Sequence, residues 1–293
     1  MKILALATAF LGVAFAAQAQ NWAADVPLLS CDGIPCIDAM LGNGVTGRMM
    51  IDSGDLISVV DSKDGAAIGF GPDDMKDGQI VKAAHTTATV AGARLDNVPA
   101  VAFPLDADIA KTEMPHVRGS LTYTAFKDRI LQIDFVRRRV RISAVLAAPV
   151  PCAAPCADLH LITFGKQGPN ILVADGFALN GQPITAQIDT AYTGSLLIYD
   201  ASVDKLGLAD LSKAAAKSDR FAFTDGGVDM RKSTAQSVTF GGQPLAANAT
   251  LYFATPGVHQ PDALFDGTVG LVLMQDKIVT FDLHDMKFAM AAG

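Results

Sequence analysis

Apolar residues along this chain fall in short runs broken by Gly, Asn, Pro and Asp, and no long stretch carries a helical period. Runs of four to eight β-branched and aliphatic residues between turn formers predict strands. Asn43-Gly44 predicts a hairpin turn, and the strand after it ends in Met49-Met50-Ile51-Asp52. A second apolar run, Leu56-Ile57-Ser58-Val59-Val60, follows at once. Asp61 to Gly69 has an N-capping acid and a closing glycine, which predict a short helix. Gln79 to Phe103 reads as strand, turn, strand, with Ala91-Gly92 and Asp96-Asn97 as punctuation. Phe126 to Arg129 fits a helical turn. Ile130–Phe135 and Val140–Ile142 then form a hairpin around Val136-Arg137-Arg138-Arg139. The feature that does not fit a plain β-rich core is Asp52, set between two apolar strands. Burying a carboxylate there is costly unless it is paired or used.

The same pattern returns further on. Asn180-Gly181 precedes Ile188-Asp189-Thr190-Ala191, and Leu196-Leu197-Ile198 follows. Asp52 and Asp189 lie 137 residues apart, as do Ser58 and Ser195. Gly119 and Gly267, Asp128 and Asp276, and Asp134 and Asp282 share a spacing of 148. Gly92-Ala93-Arg94-Leu95 corresponds to Gly242-Gln243-Pro244-Leu245. The drift in spacing places insertions in loops, mainly Ala209 to Asp229. A colinear series of this kind predicts an internal duplication of a β-rich unit. Residues 20–148 would form the first lobe and 159–293 the second. The Pro-, Ala- and Cys-rich stretch 149–158 would link them.

Composition sharpens this picture. The chain has 293 residues, of which 50% are hydrophobic and 18% charged, enough for a substantial core. Its net charge of −7 argues against nucleic acid as a partner. Lys2, the apolar run Ile3 to Ala17 and the small-residue site Ala17-Gln18-Ala19 predict a signal peptide over residues 1–19. No later run is apolar enough to predict a membrane span, so a periplasmic or secreted protein is expected. Cysteines suit that compartment. They form two close pairs, Cys31 with Cys36 and Cys152 with Cys156. Four cysteines allow three connectivities, of which local pairing is preferred. A metal site would need histidines at ligand spacing, which these cysteines lack.

Two lobes related by a pseudo-twofold axis would each deliver one acid to a shared interface. Carboxylates so close cannot both ionise readily, so the pair holds one proton. The ionised member can take a proton from water while the other donates to a carbonyl oxygen, without a covalent intermediate. The hydroxyl residue after each acid, Ser53 or Thr190, can hydrogen-bond across the axis. Gly54 lets the backbone fold tightly under its carboxylate.

Ile51-Asp52-Ser53-Gly54 and Ile188-Asp189-Thr190-Ala191 resemble the Asp-Thr/Ser-Gly signature of the aspartic peptidases. Gly119-Ser120-Leu121-Thr122 and Gly267-Thr268-Val269-Gly270 resemble the family's second motif, glycine-x-hydrophobic-glycine. Ile133-Asp134-Phe135 and Phe281-Asp282-Leu283 are similar to the closing hairpin of bacterial retropepsin-like members. The resemblance spans nearly all of the chain after residue 19. It implies an all-β, two-lobed fold with a cleft between retropepsin-like lobes, Asp52 and Asp189 as catalytic residues, and Ser53, Gly54, Thr190 and Ala191 as their support. It also implies a flap, expected within Val81 to Val90. Ala191 and Thr122 depart from the pattern, each replacing an expected glycine.

The expected activity is that of an exported aspartic endopeptidase acting on peptide or protein substrates, without a cofactor and as a monomer. The alternative is a module of the same fold that holds a peptide or partner without cutting it. Arg137-Arg138-Arg139 reads as a solvated hairpin tip, and the histidines share no spacing. No Gly-x-Ser-x-Gly elbow is present, and Gly241-Gly242 precedes a strand instead of the helix a phosphate loop requires.

Overall fold

The computed structural model describes residues 21–71, 75–76, 79–80, 83–103, 105, 117–148, 155–163, 170–217, 230–254 and 264–293. The expected signal peptide, Cys152 and most of the expected linker lie outside them. The protein is a two-lobed, all-β fold.

The first lobe opens with β1 (Trp22–Pro27), β2 (Leu29–Cys31), β3 (Ile34–Leu41), β4 (Val45–Asp52) and β5 (Ser58–Asp61). A short hairpin of β6 (Met75–Lys76) and β7 (Gln79–Ile80) comes next. Then follow β8 (Ala84–Val90), β9 (Ala93–Phe103), β10 (Val117–Thr122), β11 (Ile130–Asp134) and β12 (Arg139–Ser143). Strands β3, β4, β10, β5, β9 and β8 pair in that order, and β8 returns to β3, closing a six-stranded barrel. Closure leaves no free edge in that wall. Apolar positions turn inward along each strand: Ile37, Leu41, Met49, Ile51, Leu95 and Leu121 are all essentially inaccessible. Ala84–Val90, where the flap was expected, is thus a wall strand paired with β3 and β9. The separate β6–β7 hairpin lies just before it.

The second lobe repeats the order with β13 (Cys156–Thr163), β14 (Asn170–Leu179), β15 (Gln182–Ile188), β16 (Leu196–Ile198), β17 (Ala216–Lys217), β18 (Met230–Thr234), β19 (Ser237–Phe240), β20 (Gln243–Ala247), β21 (Thr250–Ala254), β22 (Gly267–Val269), β23 (Lys277–Asp282) and β24 (Lys287–Ala292). Here β18–β19 and β20–β21 stand where the first lobe has the unbroken β8 and β9. The closing contact is β14 with β19.

One expected turn is not one: Asp96-Asn97 lies inside β9, where Asn97 takes φ of 57° at an irregularity in the pairing with β8. The Asn180-Gly181 turn behaves as the sequence predicts. Asn180 and Gly181 both take positive φ (50° and 82°), the geometry of a tight hairpin turn. The helix after Asp61 is a 3-10 helix, Ser62–Ile68, with Asp61 capping Lys63 N–H and Gly69 left-handed at its end. The two closing hairpins match in detail: Arg138 and Met286, 148 residues apart, take φ of 55° and 52°. Buried Asp134 and Asp282 accept backbone N–H bonds from the residues that follow them. The basic cluster is tied down, with Arg139 and Arg141 on Asp25 and Arg137 on Asp134. Cys31 and Cys36 are joined across the β2–β3 hairpin, and Cys156 is also disulfide-bonded.

Both lobes share one antiparallel ladder, in the order β1-β12-β11-β23-β24-β13. At its centre Gln132 faces Thr280, and the Gln132 amide donates to the Thr280 hydroxyl at 3.2 Å. These residues are equivalents under the 148-residue spacing, so the pseudo-twofold axis passes between them.

Candidate active site

In each lobe the acid stands at the end of a strand, and a third strand fills the gap that the chain leaves as it turns. Strand β10 lies parallel to β4 and antiparallel to β5, between them. Strand β22 does the same between β15 and β16. The inserted strand must pass hard against its antiparallel neighbour. A Cβ on Gly119 would overlap the carbonyl of Val59, and one on Gly267 the carbonyl of Leu197. That contact explains the first glycine of each downstream motif.

The two turns meet on the axis through Ser53 and Thr190, both buried. Ser53 N–H donates to Thr190 Oγ1 (3.0 Å), and Thr190 N–H donates to Ser53 Oγ (3.1 Å). Each hydroxyl then donates onward across the axis, Ser53 to the Ile188 carbonyl and Thr190 to the Ile51 carbonyl, both at 2.7 Å. Four reciprocal bonds therefore satisfy two buried hydroxyls, two N–H groups and two carbonyls at once. A side chain without a hydroxyl at either position would leave some of them unmatched.

The lock holds Asp52 and Asp189 in matched settings. Asp52 Oδ1 accepts from the N–H groups of Gly54 and Asp55, both at 3.0 Å. Asp189 Oδ1 accepts from Ala191 (2.8 Å) and Tyr192 (2.9 Å). Both acids are half-buried, and their proton affinity rises. Burial pushes Asp189 up to about 6, against the pull of its two N–H donors. Asp52 is driven well above the usual carboxylate range, first by burial, then by the charges of Asp189 and Asp55. Two N–H donors on one oxygen of each acid, with both proton affinities raised, is the setting expected of a carboxylate pair able to share a proton.

Asp55 is a third acid at the site, not anticipated from the sequence. It is half-buried and its own proton affinity is raised by burial, although Leu56 N–H donates to Oδ1 at 2.7 Å. Its counterpart 137 residues on is Tyr192. That ring is buried, its hydroxyl pushed upward chiefly by desolvation, and it packs edge-on to Tyr252 with centroids 6.4 Å apart.

The departures from the family pattern have a spatial explanation here. A Cβ on Gly270 would overlap the Tyr192 ring and the carbonyls of Tyr192 and Gly194. A Cβ on Gly194 would meet the Tyr192 ring and hydroxyl. The second lobe thus needs glycine at 194 because the Tyr192 ring fills the space, and at 270 because the ring and two backbone carbonyls do. In the first lobe the equivalents are Asp55, Ile57 and Thr122. With no ring to admit, Thr122 fits fully buried and its hydroxyl caps the 3-10 helix Tyr123–Phe126. Neither Gly54 nor Ala191 has a positive φ, so this position is constrained by space and not by torsion. A Cβ on Gly54 would overlap the Asp189 carboxyl. The first turn is therefore closed to any side chain there, while its counterpart carries the Ala191 methyl, and the two carboxylates are not equivalent.

One more side chain crosses between lobes at the site. Gln187, two residues before Asp189 on β15, donates from Nε2 to the Gly54 carbonyl at 2.7 Å. A polar residue on the same strand face as the acid, where the first lobe has Met50, is the sequence signal for it. A shallow groove lined by Asp38, Met40, Thr46 and Thr89 lies on the outer wall of the first barrel, away from these acids.

No protein-family model and no curated protein sequence matches the chain. Among solved structures it is similar to the aspartic proteinase from Irpex lacteus, at 11% identity and a TM-score of 0.47. The alignment covers 92% of this chain and 97% of that one. A likeness that distant carries no mechanistic weight, and the chemistry rests on the geometry of the two acids.

Proposed function

We propose that this protein is an exported aspartic-type endopeptidase in which Asp52 and Asp189 hydrolyse a peptide bond by general acid–base catalysis. The observation that carries the reading is the reciprocal Ser53–Thr190 lock, which holds two half-buried carboxylates in matched N–H settings. Asp52, with the charges of Asp189 and Asp55 beside it, keeps the shared proton. Asp189, ionised above about 6, takes a proton from water, and the water oxygen attacks the scissile carbonyl carbon. Asp52 gives its proton to the carbonyl oxygen. Collapse of the tetrahedral intermediate returns the proton to Asp52 and releases the amine with the proton taken from water. No bond to the enzyme forms at any step. An extended peptide in the cleft between the lobes is the substrate class this chemistry serves. The cysteine pairs and the amino-terminal apolar segment support export.

The test is cleavage of a denatured protein by the mature chain from about pH 3 to about pH 8, spanning the dyad's titration. The double variant Asp52→Asn, Asp189→Asn is the control. Cleavage that disappears in the control supports the reading. Peptide binding with no cleavage at any pH overturns it in favour of a binding module.

A further inference from the structure

We propose that Gln187 is a positioning residue for the first catalytic turn, a tether from the second lobe that fixes the Gly54–Asp55 peptide beneath Asp52. This rests on the dyad assignment above. The donors along the tether can be ordered from single constraints. The Gly54 carbonyl can only accept, so the amide nitrogen of Gln187 faces it, at 2.7 Å. Gln187 Oε1 then receives the hydroxyl of Thr268, its neighbour on β22, at 3.2 Å. With its proton so used, Thr268 accepts from the Tyr199 hydroxyl at 3.0 Å. The chain runs Tyr199 to Thr268 to Gln187 to Gly54, each group with one defined role.

Its target is a single peptide plane. The Gly54 carbonyl belongs to the same peptide as Asp55 N–H, and that N–H donates to Asp52 Oδ1 at 3.0 Å. Holding the oxygen therefore aims the hydrogen. Space allows no substitute, since Gly54 has no side chain of its own to brace the turn and a Cβ would strike Asp189. The device is one-sided. Under the 137-residue spacing Gln187 corresponds to Met50, which faces Ser120 in the register that pairs Gln187 with Thr268. Methionine cannot donate, so the Asp189 turn receives no such bond from it. The dyad is thus braced asymmetrically at the acid that keeps the proton.

The experiment compares mature wild-type protein with Gln187→Met, which copies the first-lobe residue, Thr268→Val, which removes the hydroxyl, and Thr268→Ser, which keeps it. Aspartate carboxyl carbons are followed by NMR across pH, with Asp52→Asn used for assignment. Asp55 and Asp189, the other titrating acids beside Asp52, are unaltered in all three variants. Loosening the Asp55 N–H removes part of what stabilises ionised Asp52, so its midpoint should rise by roughly half a unit to one unit in Gln187→Met. Thr268→Val should shift it the same way by less, and Thr268→Ser should match wild type. With a peptide substrate, Gln187→Met should lower kcat roughly tenfold and leave KM within about twofold. An Asp52 midpoint unchanged in folded Gln187→Met overturns the tether, as does an unchanged midpoint in Thr268→Val should Gln187→Met not fold. A wild-type chain that cuts nothing refutes the peptidase reading instead, and the titration still reports on the tether.

Discussion

Replacing Asp189 with Asn should stabilise the protein at neutral pH and do little at acid pH. Asn keeps the oxygen that accepts from Ala191 and Tyr192 N–H, so the turn keeps its geometry. What it removes is a charge that folding takes out of water. Asp189 has a folded-state value of about 6 against an ordinary 3.8. For an acid whose folded value is raised, the stabilising contribution is present below the unfolded value and lost as pH climbs through the folded one. The loss is therefore complete near pH 7 to 8 and no more than about 0.5 kcal/mol near pH 4. The difference corresponds to about 3 kcal/mol at most, and the partial exposure of Asp189 brings it to about 2 kcal/mol. Asp52 reinforces the sign, because the Asp189 charge is one of the causes that raise it. Urea midpoints at about pH 4 and pH 8 measure this directly, and the melting temperature should rise by roughly 4–8 °C at the higher pH and far less at the lower. An equal gain at both pH values would show a packing effect, and a loss at pH 8 would show that the carboxylate is not held against burial. Either result refutes the reasoning.

Ser53→Ala should cost about 2–4 kcal/mol in urea unfolding, because it strands the Ile188 carbonyl and Thr190 N–H in a buried place; Thr190→Ser should cost far less. Gly194→Ala should be destabilising through collision with the Tyr192 ring, and combining it with Tyr192→Ala should recover roughly 1–2 kcal/mol relative to additivity in a double-mutant cycle. Asp55→Asn should move the whole pH–rate profile toward acid, because its charge raises the proton affinity of both Asp52 and Asp189; a profile moving toward base would contradict that sign. Wild-type kcat should itself fall on the acid side with a midpoint near 6, as Asp189 becomes protonated.

Much of the fold was legible because duplication writes each structural demand twice. Asp52 and Asp189 recur at the spacing of Ser53 and Thr190, whose hydrogen bonds span the same 137 residues. Gly119 and Gly267 recur because both lobes force one strand across another's carbonyl. The paired hairpin acids Asp134 and Asp282 recur because both cap the same left-handed turn. What escaped were features present in one lobe only. Asp55, Tyr192 and Gln187 have no like residue at the matching position, so repetition could not flag them. Yet Tyr192 with Gly194 and Gly270, against Asp55 with Ile57 and Thr122, is a trade of volume visible once the repeats are laid side by side. The flap was misplaced because alternating Thr and Ala residues along Ala84–Val90 suit an exposed hairpin as well as a barrel wall. Only the pairing of β8 with β3 separates the two.

The register of β11 against β23 has a consequence for the lobes taken singly. Gln132 faces its own equivalent, and Ile130 to Asp134 run antiparallel to the residues at equivalent positions of the second lobe. A first lobe expressed alone would carry an unpaired β11 whose hydrogen-bonding edge is complementary to a second copy of itself. Two such copies could join about Gln132 in the register the intact chain uses, bringing one Asp52 from each to a common axis. Covalent linkage of the lobes then does more than hold them near each other. It makes the pairing unimolecular and independent of concentration, and it lets the two halves differ, one with Gly54 and Asp55 and the other with Tyr192 and Gln187.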